Sequence, residues 1–230
     1  MSRVIAIGDI HANYYRLKKL LDKINLQNDD QLIFLGDYTD RGTATVDTVK
    51  LILKLSKLPN VTCLKGNHED MMLEYFNDHI YDDWLYNGGQ QAYDDLIEYP
   101  ELFNEYINFA KTLKIKHELV LNNKKYIFVH AGMNPSNPDD EFSNLWIREY
   151  FYNNYKGNDI YVVGHTPTIY FDFQQNTFTN TYSNKDFLPV KLHNNIYCID
   201  TGSYYEDGFI TAWCYDLDTN KISCIQSGGK

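Results

Sequence analysis

The sequence predicts an α/β fold. Over its first 70 residues, apolar runs of strand length alternate with segments of helical period, and short polar strings follow each apolar run directly. The runs at 3–7, 31–35 and 60–64 read as strands. Between them, 13–25 carries Leu17, Leu20, Leu21 and Ile24 at helical spacing. Residues 44–58 carry Val46, Val49, Ile52, Leu53 and Leu55 and stop at Pro59. Strand–helix–strand alternation implies parallel β-α-β units, whose ligands gather beyond the carboxyl ends of the strands.

The remaining elements follow the same logic. Residues 69–113 read as a mainly helical insert, broken at Gly88-Gly89, with Pro100 starting its last helix. Runs at 115–121 and 125–129 flank Asn122-Asn123-Lys124 as a hairpin. Residues 133–141, with Pro135 and Pro138, read as a surface loop, and 160–163 as a strand. Residues 170–190 are polar and show no periodicity. Closing strands are predicted at 195–199, 208–215 and 221–225. A chain of 230 residues without a linker or internal repeat is expected to form one domain, 1–230.

Composition narrows the function classes. No stretch approaches the roughly 20 apolar residues of a membrane span, and the opening Met1–Asp9 is too short for a secretory signal. No membrane association and a cytoplasmic location are therefore expected. Cys63, Cys198, Cys214 and Cys224 form no CxxC pair and read as buried reduced thiols. A formal charge of −10 argues against stable nucleic-acid binding, so an anionic substrate would need local positive charge. A monomer is the default.

Six strings carry the chemistry: Gly8-Asp9-Ile10-His11, Gly36-Asp37-Tyr38-Thr39-Asp40-Arg41-Gly42, Gly66-Asn67-His68-Glu69, His130-Ala131-Gly132, Leu145-Trp146-Ile147-Arg148 and Gly164-His165-Thr166. An isolated Asp past a strand is ordinarily a cap or turn residue, and an isolated His a structural hydrogen-bonder. Together, however, they deliver Asp9, His11, Asp37, Asn67, His130 and His165 to strand ends. Imidazole nitrogen with carboxylate and amide oxygen suits borderline divalent cations. Asp9, His11 and Asp37 are assigned to one ion. Asp37, as a bridge, serves a second ion with Asn67, His130 and His165. Asp9 and His11, two apart, are expected to point the same way in an extended segment.

These strings resemble the signature of calcineurin-like metallophosphoesterases, and within them the phosphoprotein phosphatase branch. The small bacterial and bacteriophage serine/threonine phosphatases are most similar, through Trp84–Gly89, Leu145–Glu149 and Ile199-Asp200-Thr201-Gly202. Ala12 departs from the family's usual glycine, and the animal-type C-terminal signature is absent. The resemblance implies a β-sandwich flanked by helices in four layers, α/β/β/α. It implies two metal ions, manganese by preference and iron or zinc otherwise, that activate a hydroxide to attack phosphorus. His68 is then the general acid, Asp40 its orienting carboxylate, and Arg41 and Arg148, with Asn67, bind the phosphate.

Glu69 reads as a helix-start residue. Tyr204 and Tyr205 are placed near the substrate, while His79, His117 and His193 have no role. The expected substrate is phosphoserine or phosphothreonine in a protein. Alternatives are symmetrical hydrolysis of diadenosine tetraphosphate or another small phosphoester or nucleotide and, more remotely, a non-catalytic scaffold. Substrate choice is expected to reside in the insert and in loops 133–144 and 170–190.

Overall fold

A computed structural model describes residues 2–78, 82–193 and 195–228; His79 lies outside them. In chain order the elements are β1 (Arg3–Ile7), α1 (Tyr14–Ile24), β2 (Gln31–Phe34), α2 (Thr45–Ser56), β3 (Val61–Cys63), α3 (Asn67–Asp78), a π-helical turn at Leu85–Gly89, α4 (Gln90–Ile97), α5 (Pro100–Thr112), β4 (Lys116–Leu121) and β5 (Lys124–Val129). Then come α6 (Glu141–Trp146), α7 (Glu149–Asn154), β6 (Ile160–Val163), β7 (Phe171–Asp172), β8 (Thr177–Phe178), β9 (Val190–Leu192), β10 (Ile196–Cys198), β11 (Thr211–Asp216) and β12 (Lys221–Gln226).

Two five-stranded mixed sheets face one another, in the orders β12-β11-β1-β2-β3 and β4-β5-β6-β10-β9. The apolar run Arg3–Ile7 is continuous because both faces of β1 are buried. Val4 and Ala6 pack between the sheets with Ile33, Phe128, Val162 and Trp213. Ile5 and Ile7 point the other way, onto Leu17, Leu20 and Ile52 of the helical layer. Beyond the second sheet, Ile127, Val129 and Val163 pack on Phe151 and Tyr152 of α7 and on Phe171 and Phe178. The four-layer sandwich expected from the sequence is what forms.

Register brings the site together. β1, β2 and β3 are parallel, with Ile7 opposite Phe34 and Phe34 opposite Cys63. The chain therefore leaves all three strands at one edge, carrying Asp9, Asp37 and Asn67. In the second sheet β5, β6 and β10 are also parallel, with Phe128 opposite Val162 and Val163 opposite Cys198. His130, His165 and Asp200 emerge at that sheet's corresponding edge.

The insert is helical as predicted and has its own apolar cluster, in which Met72, Trp84, Leu96, Phe103 and Tyr106 pack against Val49 and Leu53 of α2. Three details differ from expectation. The polar 170–190 region contains the β7–β8 hairpin and begins β9, which pairs with β10. These strands of two or three residues are too short for periodicity to register. The strand predicted at 208–215 starts at Thr211. Cys63 is half-buried and Cys224, on edge strand β12, is exposed rather than buried. Among the described residues no helix is long and apolar enough to cross a membrane.

Candidate metal centre and phosphate site

The loops that leave the strands are tightly wound. His11, Ala12, Asp37, Asp40, Arg41 and His165 all lie in the left-handed region, at φ between 48° and 69°. That conformation costs a non-glycine residue roughly 1–2 kcal/mol. Cross-loop hydrogen bonds offset the cost. The N–H groups of Ile10 and His11 both donate to the Asp37 carbonyl, and Ala12 N–H donates to the Tyr38 carbonyl. The expectation that Asp9 and His11 converge through an extended segment is therefore corrected. A left-handed turn brings His11 Nε2 to 3.9 Å from Asp9 Oδ2. Ala12, where the resemblance implies a glycine, lies at φ +50°, a conformation that glycine adopts without steric cost.

Asp37 stands at the centre. Its Oδ2 lies 3.5 Å from His11 Nε2, and its Oδ1 lies 3.5 Å from His130 Nε2. His68 N–H, at the start of α3, donates to Asp37 Oδ1 at 3.1 Å. Asn67 Oδ1 is 2.8 Å from His130 Nε2 and 2.9 Å from His165 Nδ1. Donor atoms of His11, Asp37 and His68 cluster within 4.8 Å, as do those of Asp9, Asp37 and His130. All six predicted donors are buried. Asp9 is held by His165 N–H, at 3.0 Å to Oδ1.

Glycines make this density possible. A Cβ on Gly66 would stand 2.1 Å from Asp37 Oδ1, and one on Gly164 would stand 2.1 Å from Asp9 Oδ1.

Outer hydrogen bonds orient the rings. His11 Nδ1 donates to the Thr39 carbonyl at 3.1 Å and His130 Nδ1 to the Leu35 carbonyl at 3.0 Å. His165 is turned the other way, with Nε2 toward the Trp146 carbonyl at 3.3 Å. Each carbonyl takes a ring N–H and leaves the opposite nitrogen's lone pair facing inward. Burial pushes these three imidazoles down from their ordinary range, helped at His11 by Arg41 and at His165 by Arg148. Burial thus favours the uncharged form that a metal ligand needs. Burial, then Asp200 and Asp37, push the Asp9 carboxyl well up. At Asp37 burial acts upward too, but His130, His68, His11 and Arg41 outweigh it and hold the group below the carboxylate range. Neutral inward-facing imidazoles grouped with two carboxylates and an amide oxygen fit a pair of divalent cations.

His68 behaves differently. Its Nδ1 donates to Asp40 Oδ2 at 2.6 Å, and the same oxygen accepts from Trp84 Nε1 at 2.8 Å. Among the described residues His68 Nε2, which is buried, has no hydrogen-bond partner; it lies 3.9 Å from Asp37 Oδ2. Burial lowers the His68 pKa, yet Asp37 and Asp40 outweigh that and raise it. Arg41 and Arg148 line one cavity of about 390 Å³ together with His165 and Tyr204. Arg148 donates to the His165 carbonyl at 2.9 Å and to Thr166 Oγ1 at 3.1 Å, which ties it to the metal-side loop rather than leaving it a free surface charge. Arg41 Nη1 donates to His11 Nε2 at 2.9 Å.

Three residues gain importance that the sequence did not disclose. Glu69 receives four donors: the N–H groups of Gly66 and Asp37 at Oε2, and Tyr38 N–H and the Tyr106 hydroxyl at Oε1. The Gly66 bond is the expected helix-start contact, and the others bind the Asp37 loop to it. Burial and Asp37 raise the Glu69 carboxyl to about 7, against the downward pull of the Tyr38 and Asp37 N–H donors. Trp84 secures Asp40. Asp200 is a further buried carboxyl, raised to about 6 by burial; the string Ile199–Gly202 marked its position but gave it no role. His117, given no role, pairs with Gln31 at the opposite end of β2 from Asp37.

The sequence profile of the calcineurin-like phosphoesterase family matches residues 2–213. Serine/threonine-protein phosphatase 2 of Salmonella typhimurium is 30% identical over 211 residues, 86% of each chain. In fold, the chain resembles a protein serine/threonine phosphatase from Saccharomyces cerevisiae, with TM-score 0.64, 14% identity and coverage of 98% of this chain and 79% of that one. It also resembles a candidate diadenosine tetraphosphatase, with TM-score 0.61, 17% identity and coverage of 100% and 94%.

Proposed function

Because this chain belongs to the calcineurin-like phosphoesterase family and is a hydrolase of phosphoesters, we propose that it is a metal-dependent serine/threonine protein phosphatase, active as a cytoplasmic monomer with manganese. Asp9, His11 and Asp37 hold one cation. Asp37, Asn67, His130 and His165 hold the other. The bound pair supplies Lewis-acid polarisation of the phosphoryl oxygens and a deprotonated water at neutral pH.

The chain's own residues do the rest. Arg41 and Arg148 receive the phosphate oxygens, for which a planar guanidinium fork is suited. Asn67 lends its amide to the same orientation. His68 holds a proton on Nε2 for the leaving oxygen, and Asp40 fixes the ring from behind. The observation that carries this reading is that buried Nε2, without a hydrogen-bond partner among the described residues and 3.9 Å from the Asp37 carboxylate, on a ring locked by Asp40 at 2.6 Å.

The choice of phosphoprotein rests on the Salmonella relative. The test is a side-by-side assay with manganese on a phosphoserine peptide, diadenosine tetraphosphate and para-nitrophenyl phosphate. The expected result is the highest kcat/KM on the phosphopeptide and loss of all activity with a chelator. A preference for the dinucleotide replaces the substrate assignment. Turnover that survives chelation removes the metals from the reaction.

A further inference from the structure

The loop 201–209, between β10 and β11, is stiff. Gly202 sits at φ +68° with its N–H on Asp200 Oδ1 at 2.9 Å. Thr201 Oγ1 donates to the Phe209 carbonyl at 2.9 Å, and Phe209 N–H returns a bond to the Thr201 carbonyl at 3.0 Å. A buried guanidinium then joins it from the other end of the chain. Arg16 on α1 donates from Nη1 to the carbonyls of Ser203 at 2.5 Å and Tyr205 at 2.9 Å, and from Nη2 to that of Glu206 at 2.6 Å. Backbone carbonyls take these donors, so the fork grips the path of the loop itself.

What the loop presents is Tyr204. The Arg41 Cζ lies over its ring, 4.8 Å from the centroid, within cation–π range. The same ring meets His11 edge-on at 5.2 Å, and its hydroxyl donates to that of Tyr205 at 3.0 Å. Tyr204 and Arg41 line the cavity that holds Arg148. Arg41 is exposed, so its long side chain needs a wall to stay aimed. The aromatic face gives it one on the cavity side.

We propose that Tyr204 is a positioning residue for phosphate capture by Arg41, and that Arg16 fixes its place by clamping the loop. The inference rests on Arg41 binding phosphate, as above. Its consequence is that affinity for phosphate depends on a ring face that touches no phosphate.

The test is inhibition by inorganic phosphate and steady-state kinetics, using the full chain with manganese. Tyr204→Leu is expected to raise the phosphate inhibition constant and KM by about 3–30-fold, with kcat moved less. Tyr204→Phe, which keeps the face, stays within about twofold of the original. In an Arg41→Ala background, Tyr204→Leu adds less than about twofold, because the two residues act as one unit. Arg16→Gln reproduces the Tyr204→Leu shift and adds nothing to it. If Arg16→Gln loses its circular-dichroism spectrum, the Tyr204 variants decide alone. An unchanged constant in Tyr204→Leu overturns the proposal, as does a shift of full size without Arg41. A wild-type chain with no phosphomonoesterase activity instead overturns the proposed function, and this inference with it.

Discussion

Asp40 Oδ2 lies 2.6 Å from His68 Nδ1, and Trp84 Nε1 approaches the same oxygen at 2.8 Å. Two donors on one oxygen leave the carboxylate little freedom to swing. Thr39 Oγ1 holds the other oxygen at 3.3 Å. Nδ1 is committed to Asp40, so any proton that His68 could transfer would reside on Nε2.

Replacing His68 with Asn is therefore expected to lower kcat by about 10²–10⁴ on serine phosphates, while manganese still binds. The loss on para-nitrophenyl phosphate should be much smaller, because that leaving group departs without a proton. Equal losses on both substrates would mean that His68 contributes something other than a proton.

Asp40→Asn should reduce kcat by about 10–100-fold on alkyl phosphates, the magnitude of a hydrogen bond to a charged group. Trp84→Phe removes a weaker bond to the same oxygen and should cost about 2–10-fold. Steady-state kinetics on a phosphoserine peptide ranks the two. A Trp84 effect as large as that of Asp40 would indicate collapse of the insert rather than loss of one bond.

These residues also mark how far the sequence could be read. The alternation from Arg3 to Cys63 discloses parallel strands because β1 and β2 are buried on both faces and the connecting helices keep their 3.6-residue period. Asp9, His11, Asp37, Asn67, His130 and His165 are legible as a group because the strings that carry them sit at strand ends. The rest depends on contacts with no local trace. Trp84 meets Asp40 from 44 residues away, and Arg16 meets Ser203 from 187 away. The left-handed turn at His11 was hidden for a different reason. A side-chain periodicity argument assumes an extended backbone, and φ +48° breaks that assumption. Likewise Glu69 is half-legible: its bond to Gly66 is local, but its bonds to Asp37 and Tyr38 cross from α3 to the loop after β2.

Metal affinity should depend on two glycines that carry no ligand. Gly66→Ala and Gly164→Ala each place a methyl 2.1 Å from a carboxylate oxygen, of Asp37 and Asp9 respectively. Either is expected to weaken manganese binding by about 10–100-fold, as loss of outer-shell support does. Asp37→Asn should do more and remove tight binding of one ion altogether. Calorimetric titration with manganese gives both affinity and stoichiometry. Two tight sites in Asp37→Asn would exclude Asp37 as the bridge.

Glu69→Gln tests whether the carboxylate organises the Asp37 loop. The amide keeps one acceptor oxygen and turns an NH₂ toward groups that are themselves donors. A destabilisation of about 2–4 kcal/mol is expected, together with weaker manganese binding. Tyr106→Phe removes a single donor from the same carboxylate and should cost about 1 kcal/mol. Urea titration of both variants separates them. If Glu69→Gln loses stability but binds manganese normally, the residue supports α3 alone.

At the other end of β1, Asp30 offers a test of stability against pH that is remote from the metals. Its side chain is buried: Oδ1 accepts from Arg3 Nε at 3.0 Å and from Ser2 Oγ at 3.0 Å, and Oδ2 accepts from Gln27 N–H at 2.8 Å and from Arg3 Nη2. Burial acts upward on its pKa, but these donors and the Arg3 charge prevail and lower it. A depressed folded-state pKa gives stability that is complete above the unfolded value of about 3.9 and is lost as pH falls through the folded value. Asp30→Asn should therefore cost about 1–3 kcal/mol at pH 7, discounted because Arg3 is partly exposed. Melting temperatures of the two proteins should converge below about pH 4. A gap of constant size across that range would show that packing around Asp30, not its charge, anchors the start of β1.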